Sequence, residues 1–252
     1  MRFRGKTALI SGAGRNIGKA IALAFAREGA DVVLVARTGD DVRKVARECE
    51  GSGVQALPLA ADASKHEEVN RVVRQSLDRF GKVDVLVSVV GLRPHRPFWD
   101  FTYDEWQQVF NVNVHSTFFF AKALAPSMIE RKSGSIVALG GMSSVTAMRP
   151  GISAVAASKH GLYGLIKAMA VDLGEHRIRA NLIAVGNINT ERRNPEWYLP
   201  GHELRPEHQH LALRRDGYPD EVANAALFLA SDEASYITGD RITCSGGRYP
   251  GM

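Results

Sequence analysis

Cysteine is almost missing. The chain has two, Cys49 and Cys244, too few for a disulfide framework, so a reducing, cytoplasmic setting is expected. Proline is scarce at 10 residues, and the 24 glycines follow no repeat, which excludes collagen-like and low-complexity chains. No stretch reaches the roughly 18 consecutive apolar residues of a membrane span. The basic start Met1-Arg2-Phe3-Arg4-Gly5-Lys6 leads into an apolar run of only Thr7 to Ile10, too short for a signal peptide, and reads as entry into a domain. A dominant charge is lacking too: Lys plus Arg is 32, Asp plus Glu is 27, and the net charge is +5. Spread over a domain, that surplus carries no nucleic-acid signature. What is present, 252 residues with 45% hydrophobic side chains, suits one large α/β domain with a substantial core.

Short apolar runs alternate with helical patterns. Thr7–Ser11, Asp31–Ala36, Val54–Ala60, Val83–Val89, Ser135–Leu139, Ile178–Val185 and Arg241–Cys244 are apolar at consecutive positions, as strands buried on both faces must be. Between them, Ile17–Glu28, Asp40–Glu50, Lys65–Phe80, Thr102–Arg131, Ser153–Arg177 and Pro219–Ser231 read as helices, with Gly29 and Gly81 as stops. The alternation predicts a single doubly wound Rossmann-type α/β domain over 1–252, with a mostly parallel seven-stranded sheet. Residues 186–216 break the rhythm with Pro195, Pro200, Pro206, His202, His208 and His210. A long irregular segment that also carries Trp197, Tyr198 and Leu199 reads as a substrate lid.

The first strand runs into Ser11-Gly12-Ala13-Gly14-Arg15-Asn16-Ile17-Gly18 and then a helix. At such a turn glycines admit close backbone approach, and the N–H groups opening the helix attract a pyrophosphate. At the tip of the second strand a carboxylate would bind the 2′-hydroxyl of NAD. Ala36, Arg37 and Thr38 stand there instead, and Arg15 lies in the turn. Two guanidiniums can fork onto a 2′-phosphate, so NADP(H) is the expected cofactor; two solvated surface arginines are the plainer alternative.

These residues, taken with others in order along the chain, resemble the short-chain dehydrogenase/reductase family. Asp62-Ala63, Asn113, Lys159 in Ser158-Lys159-His160-Gly161, Gly186-Asn187-Ile188-Asn189-Thr190 and the closing Gly246-Gly247 fit it. The resemblance implies that Gly12, Arg15, Asn16, Ile17, Gly18, Arg37, Thr38, Asp62, Ala63, Ser88, Gly91, Lys159, Gly186, Ile188 and Thr190 bind the cofactor. It implies Lys159, Ser143 and Asn113 for catalysis, and a homotetramer packed on the two long helices. Departures are clear as well. Asn16 replaces a turn glycine, Ser88-Val89-Val90-Gly91 keeps only the glycine of Asn-Asn-Ala-Gly, Val185 replaces a proline, and Ser143-Ser144 fall one or two positions late.

Four residues before Lys159, where the family has its proton-donating tyrosine, stands Val155. The resemblance implies hydride transfer between a nicotinamide and an alcohol/carbonyl pair, and a positioned acid contributes about 10²–10⁴-fold to such a step. Tyr163, His160, Tyr103, Tyr198, His208, Ser143, Ser144, or Lys159 with a water shared with Asn113, are the candidate replacements. A sensor of NADP(H) without turnover and a lyase or isomerase reusing the pocket are the rival readings. No metal site is expected: His202, His208 and His210 lack a ligand framework, and Cys49 lies on an expected surface helix. Arg93, His95 and Arg96, with Arg149, Arg192 or Arg193, form a basic rim that fits a small anionic substrate or is plain surface charge.

Overall fold

Consecutive Val, Ile and Leu become strands here, and apolar residues recurring at helical spacing become helices packed on them. The structure is a computed structural model that describes residues 1–147, 149–191 and 211–248. The strands are β1 (Thr7–Ser11), β2 (Asp31–Ala36), β3 (Ala56–Ala60), β4 (Val85–Ser88), β5 (Gly134–Leu139), β6 (Ile178–Val185) and β7 (Arg241–Cys244). The helices are α1 (Asn16–Arg27), α2 (Gly39–Glu50), α3 (His66–Phe80), α4 (Tyr103–Phe110), α5 (Ser116–Arg131), α6 (Ser153–Gly174) and α7 (Pro219–Ala230). The seven strands lie in the order β3-β2-β1-β4-β5-β6-β7, and each neighbouring pair is parallel. The mostly parallel sheet expected from sequence is therefore wholly parallel among the described residues.

Alternate side chains of each strand feed opposite cores. Ala8 and Ile10 of β1 pack with Ile21 and Phe25 of α1, Val42 of α2 and Leu227 of α7. Leu9 between them joins Val72 of α3, Phe120 and Leu124 of α5, and Leu162 and Ile166 of α6. The strand order reverses between β1 and β4, so the chains leaving their carboxyl ends diverge and open a crevice there. At the opposite edge Asp84, 5% exposed, accepts hydrogen bonds from the Thr7 amide (2.9 Å) and from Arg131 (2.9 Å), tying β1, β4 and α5 together.

Three expectations need correction. The helix read as Thr102–Arg131 is interrupted: Asn111–His115 forms a π turn between α4 and α5. Within it Asn113, 1% exposed, turns its amide inward onto the backbone of Leu92. Cys49 is completely buried, and burial pushes its thiol up to about 12, because α2 presents it to the sheet. The strand read from Val54 begins at Ala56. Of the lid read over 186–216, residues 192–210 lie outside the described residues, and with them Trp197, Tyr198, Leu199, His202, His208 and His210. Among the described residues no helix is long and apolar enough to cross a membrane.

Candidate active site

The turn after β1 is built by conformation and contact. Gly12 has φ +75°, and a Cβ on it would lie 3.2 Å from the Val90 nitrogen; one on Gly18 would run into the Gly12 carbonyl. The Gly12 and Ala13 amides donate to the Val35 carbonyl at 2.7 and 3.1 Å, which pins the turn over β2. That leaves the first N–H groups of α1, at Asn16, Ile17 and Gly18, pointing out of the helix without intrahelical acceptors. Arg15 precedes them as N-cap and gives no side-chain cap.

Asn16 explains its own presence. Its φ is +49°, a left-handed backbone that asparagine tolerates best after glycine. Its Nδ2 donates to the Glu191 carbonyl at 3.0 Å, and its Oδ1 accepts from the Glu191 amide at 3.2 Å. A substitution that looked like a loss thus clasps the phosphate turn to the segment after β6.

At the tip of β2, Arg37 is exposed. Burial works against the Asp62 carboxylate, yet hydrogen bonds from Ser64 outweigh it and the charges of Arg37 and Lys65 add, so its pKa lies below the ordinary value. Arg37 and Asp62 therefore share one corner, with Ala63 buried beside them and Thr38 exposed. Gly14 packs against Ala36 and Asp41. No carboxylate occupies the strand-tip position itself.

The crevice continues into a pocket. Ile17, Gly91, Gly186, Ile188, Thr190 and Lys159 line it, as the cofactor reading requires. Ser88 does not: it lies 2% exposed inside the sheet, 2.8 Å from the Thr117 hydroxyl. Lys159 is 4% exposed and donates to the Leu139 carbonyl at 2.8 Å. Burial first, and the charge of Arg93 second, pull its ammonium down to about 7. A methyl on Gly91 would lie 3.7 Å from Lys159 Nζ and 3.8 Å from Asn113 Oδ1, so all three meet at the carboxyl edge. Asn113 spends its two donor hydrogens on Ser158 Oγ (2.9 Å) and the Leu92 carbonyl (3.0 Å), while Oδ1 accepts from the Leu92 amide (2.7 Å). Its role is to fix the loop after β4; it has no hydrogen left for a water.

Where a proton donor is expected, two apolar side chains line the pocket: Val155, 3% exposed, and Met142, 6% exposed. Ser143 lines it as well, whereas the Ser144 hydroxyl turns away to donate to the Gly141 carbonyl at 2.7 Å. Tyr163 is not among the lining residues; Lys167 and Arg241 stack on its ring. Tyr103, 96% exposed, and His160 are outside the pocket too. The basic rim is real in part. Arg93, His95 and Arg149 line the pocket, but Arg96 leaves it to pair with Glu105 at 2.9 Å, and Arg192 and Arg193 lie outside the described residues. Arg248, which sequence reasoning missed, joins them and donates to Asn187 Oδ1 at 2.6 Å. The signal was indirect: Val185 of β6 pairs with Cys244 of β7, so residues just past both strand ends must meet. Among the described residues no group of histidines, cysteines or carboxylates could hold a metal ion.

Known proteins resemble the chain over nearly its whole length. The family model described as "Enoyl-(Acyl carrier protein) reductase" matches residues 12–248. The 3-oxoacyl-(acyl-carrier-protein) reductase FabG of Thermotoga maritima is 35% identical over 249 residues, covering 98% of this chain and 99% of that protein. A short-chain type dehydrogenase/reductase from Mycobacterium marinum superposes with a TM-score of 0.90 at 34% identity, covering 98% of this chain and 97% of the other. The structure of 7α-hydroxysteroid dehydrogenase complexed with NADH and 7-oxo glycochenodeoxycholic acid gives a TM-score of 0.91 at 35% identity, covering 98% and 95%.

Proposed function

The chain belongs to the short-chain dehydrogenase/reductase family, and from that premise we propose that it is an NADP(H)-dependent oxidoreductase acting on a small anionic alcohol/carbonyl pair. One observation carries the reading: a phosphate turn with open helix amides and a buried Lys159 face the same crevice, at the point where strand order reverses. The residues present fit the cofactor. Gly12 and Gly18 leave the close approach that a pyrophosphate needs, and the amides of Asn16, Ile17 and Gly18 suit its charge. Arg15 and Arg37 would take a 2′-phosphate, Asp62 and Ala63 the adenine side, and Lys159, Ile188 and Thr190 the nicotinamide end. When bound, the nicotinamide supplies or accepts the hydride.

The substrate reading rests on Arg93, Arg149 and Arg248, three guanidiniums on one pocket with no carboxylate among its described lining residues. Guanidiniums in such a setting favour a carboxylate or phosphate. Ser143 lines the pocket and in this reading hydrogen-bonds the carbonyl. The proposal includes a homotetramer and a cytoplasmic setting.

Calorimetry with NADPH and NADH tests the cofactor. The expected result is binding of both, with NADPH at least tenfold tighter and that preference lost in Arg37→Ala. No heat with either dinucleotide on folded protein would refute it. Oxidation of NADPH in the presence of short oxo carboxylates tests turnover; tight binding without turnover across such a panel favours the sensor reading, for which the apolar Val155 and Met142 speak.

A further inference from the structure

Val155 and Met142 leave the reduction without its usual acid, and among the described residues lining the pocket there is one imidazole. We propose that His95 is the catalytic proton donor and acceptor of this enzyme. This rests on the redox reading above and assigns the residue that reading lacks.

Placement comes first. His95 is 6% exposed although it belongs to the loop after β4, and it lines the same pocket as Val155, Met142, Ser143 and Lys159. That loop is fixed at both ends. Asn113 holds Leu92 by both its amide and its carbonyl. Directly after His95, the Arg96 amide donates to the Gly151 carbonyl at 2.9 Å, and the Arg96 guanidinium is held by Glu105. Gly151 and Ile152 enter α6, and Ile152, Val155 and Ala156 form one small apolar cluster. His95 is therefore held next to the segment that leads into α6, and its side chain shares the pocket with Val155, the residue at the family's tyrosine position. A valine there is short enough to leave room for a ring arriving from another loop.

Chemistry and charge agree with the placement. Imidazole exchanges protons near neutral pH, as a general acid–base must. The cationic groups described on the same pocket are Arg93 on its own loop, Arg149 before α6, Lys159 on α6 and Arg248 after β7. A bound carboxylate suits such a lining. As the hydride adds to the carbonyl carbon, a C–H bond forms and the C=O π pair passes to oxygen. The imidazolium gives that oxygen its proton, becomes neutral and is recharged from solvent; oxidation of the alcohol runs the same transfers backwards. Lys159 is the competing donor; one of its hydrogens already goes to the Leu139 carbonyl, and the reading above gives it to the nicotinamide end of the cofactor.

His95→Asn and His95→Gln test the assignment, with acetoacetate and related short oxo carboxylates as substrates. Both variants should lose 100-fold or more in kcat while NADPH affinity stays within threefold. Adding Val155→Tyr to His95→Asn should recover at least tenfold, with the alkaline limb of the pH profile moved upward. An imidazole C–H resonance absent from His95→Asn should shift saturably when acetoacetate is added to the cofactor-free protein. Activity within fivefold of wild type in either variant, loss of NADPH binding alongside activity, no recovery by Val155→Tyr, or an immobile resonance overturns the assignment. Wild-type protein that binds NADPH but reduces none of the panel removes the redox reading itself, a different failure.

Discussion

Asn16 shows how a single residue can look like a defect in sequence and act as a fastener in space. Its left-handed backbone and its two bonds to Glu191 predict different outcomes for two substitutions. Asn16→Ala loses the clasp and strains the backbone, whereas Asn16→Gly loses the clasp alone. Urea denaturation should find the alanine variant less stable than the glycine variant by about 1 kcal/mol. Lys159 gives a pH prediction. An exposed lysine in the unfolded chain titrates near 10.4, while the buried one is pulled down to about 7. Between these values the unfolded chain binds the extra proton, so cofactor-free protein gains stability as pH rises above about 7. In denaturation between pH 6 and 9, the stability difference between wild type and Lys159→Met should climb with pH, by at most about 1.4 kcal/mol per unit. At this scale the valine at 155 was plain in the sequence, whereas the donor proposed to act in its stead was not. His95 read only as part of a charged rim, because residue spacing cannot say which way a loop side chain turns.

Among the elements, strands and helices were legible because the inner strands β1, β2, β4, β5 and β6 are buried along most of their length, while the edge strands β3 and β7 are only partly buried, and burial writes itself into periodicity. The π turn at Asn111–His115 was not. Apolar spacing continues through it, and the one polar side chain that satisfies the neighbouring loop from within it, Asn113, leaves no mark on that spacing. Asn113→Ala should strip the Leu92 amide and carbonyl of their partner and cost on the order of 2 kcal/mol. It should also lower kcat, because the loop carrying Arg93 and His95 loses its anchor; thermal melts and single-turnover rates would show the two losses together. The position of Arg248 was hidden for a related reason, since only the pairing of β6 with β7 brings it to Asn187.

For the whole molecule, the proposed tetramer places weight on the outer faces of α5 and α6, where Phe118 is 41% and Val171 81% exposed and a side chain added at Gly164 would meet open space. Phe118→Glu combined with Val171→Glu should therefore shift the mass seen in light scattering toward dimer or monomer. The buried Asp84 at the amino edge supplies a contrasting prediction. Asp84→Ala leaves the Thr7 amide and Arg131 without their shared acceptor and should cost about 3 kcal/mol, measured by denaturation, while the affinity for NADPH is unchanged. With every strand pointing the same way, the two rims of the sheet have separate duties, chemistry at one and durability at the other. Heat tolerance can then be raised or lowered through residues around Asp84 without the carbonyl-reducing end registering the change.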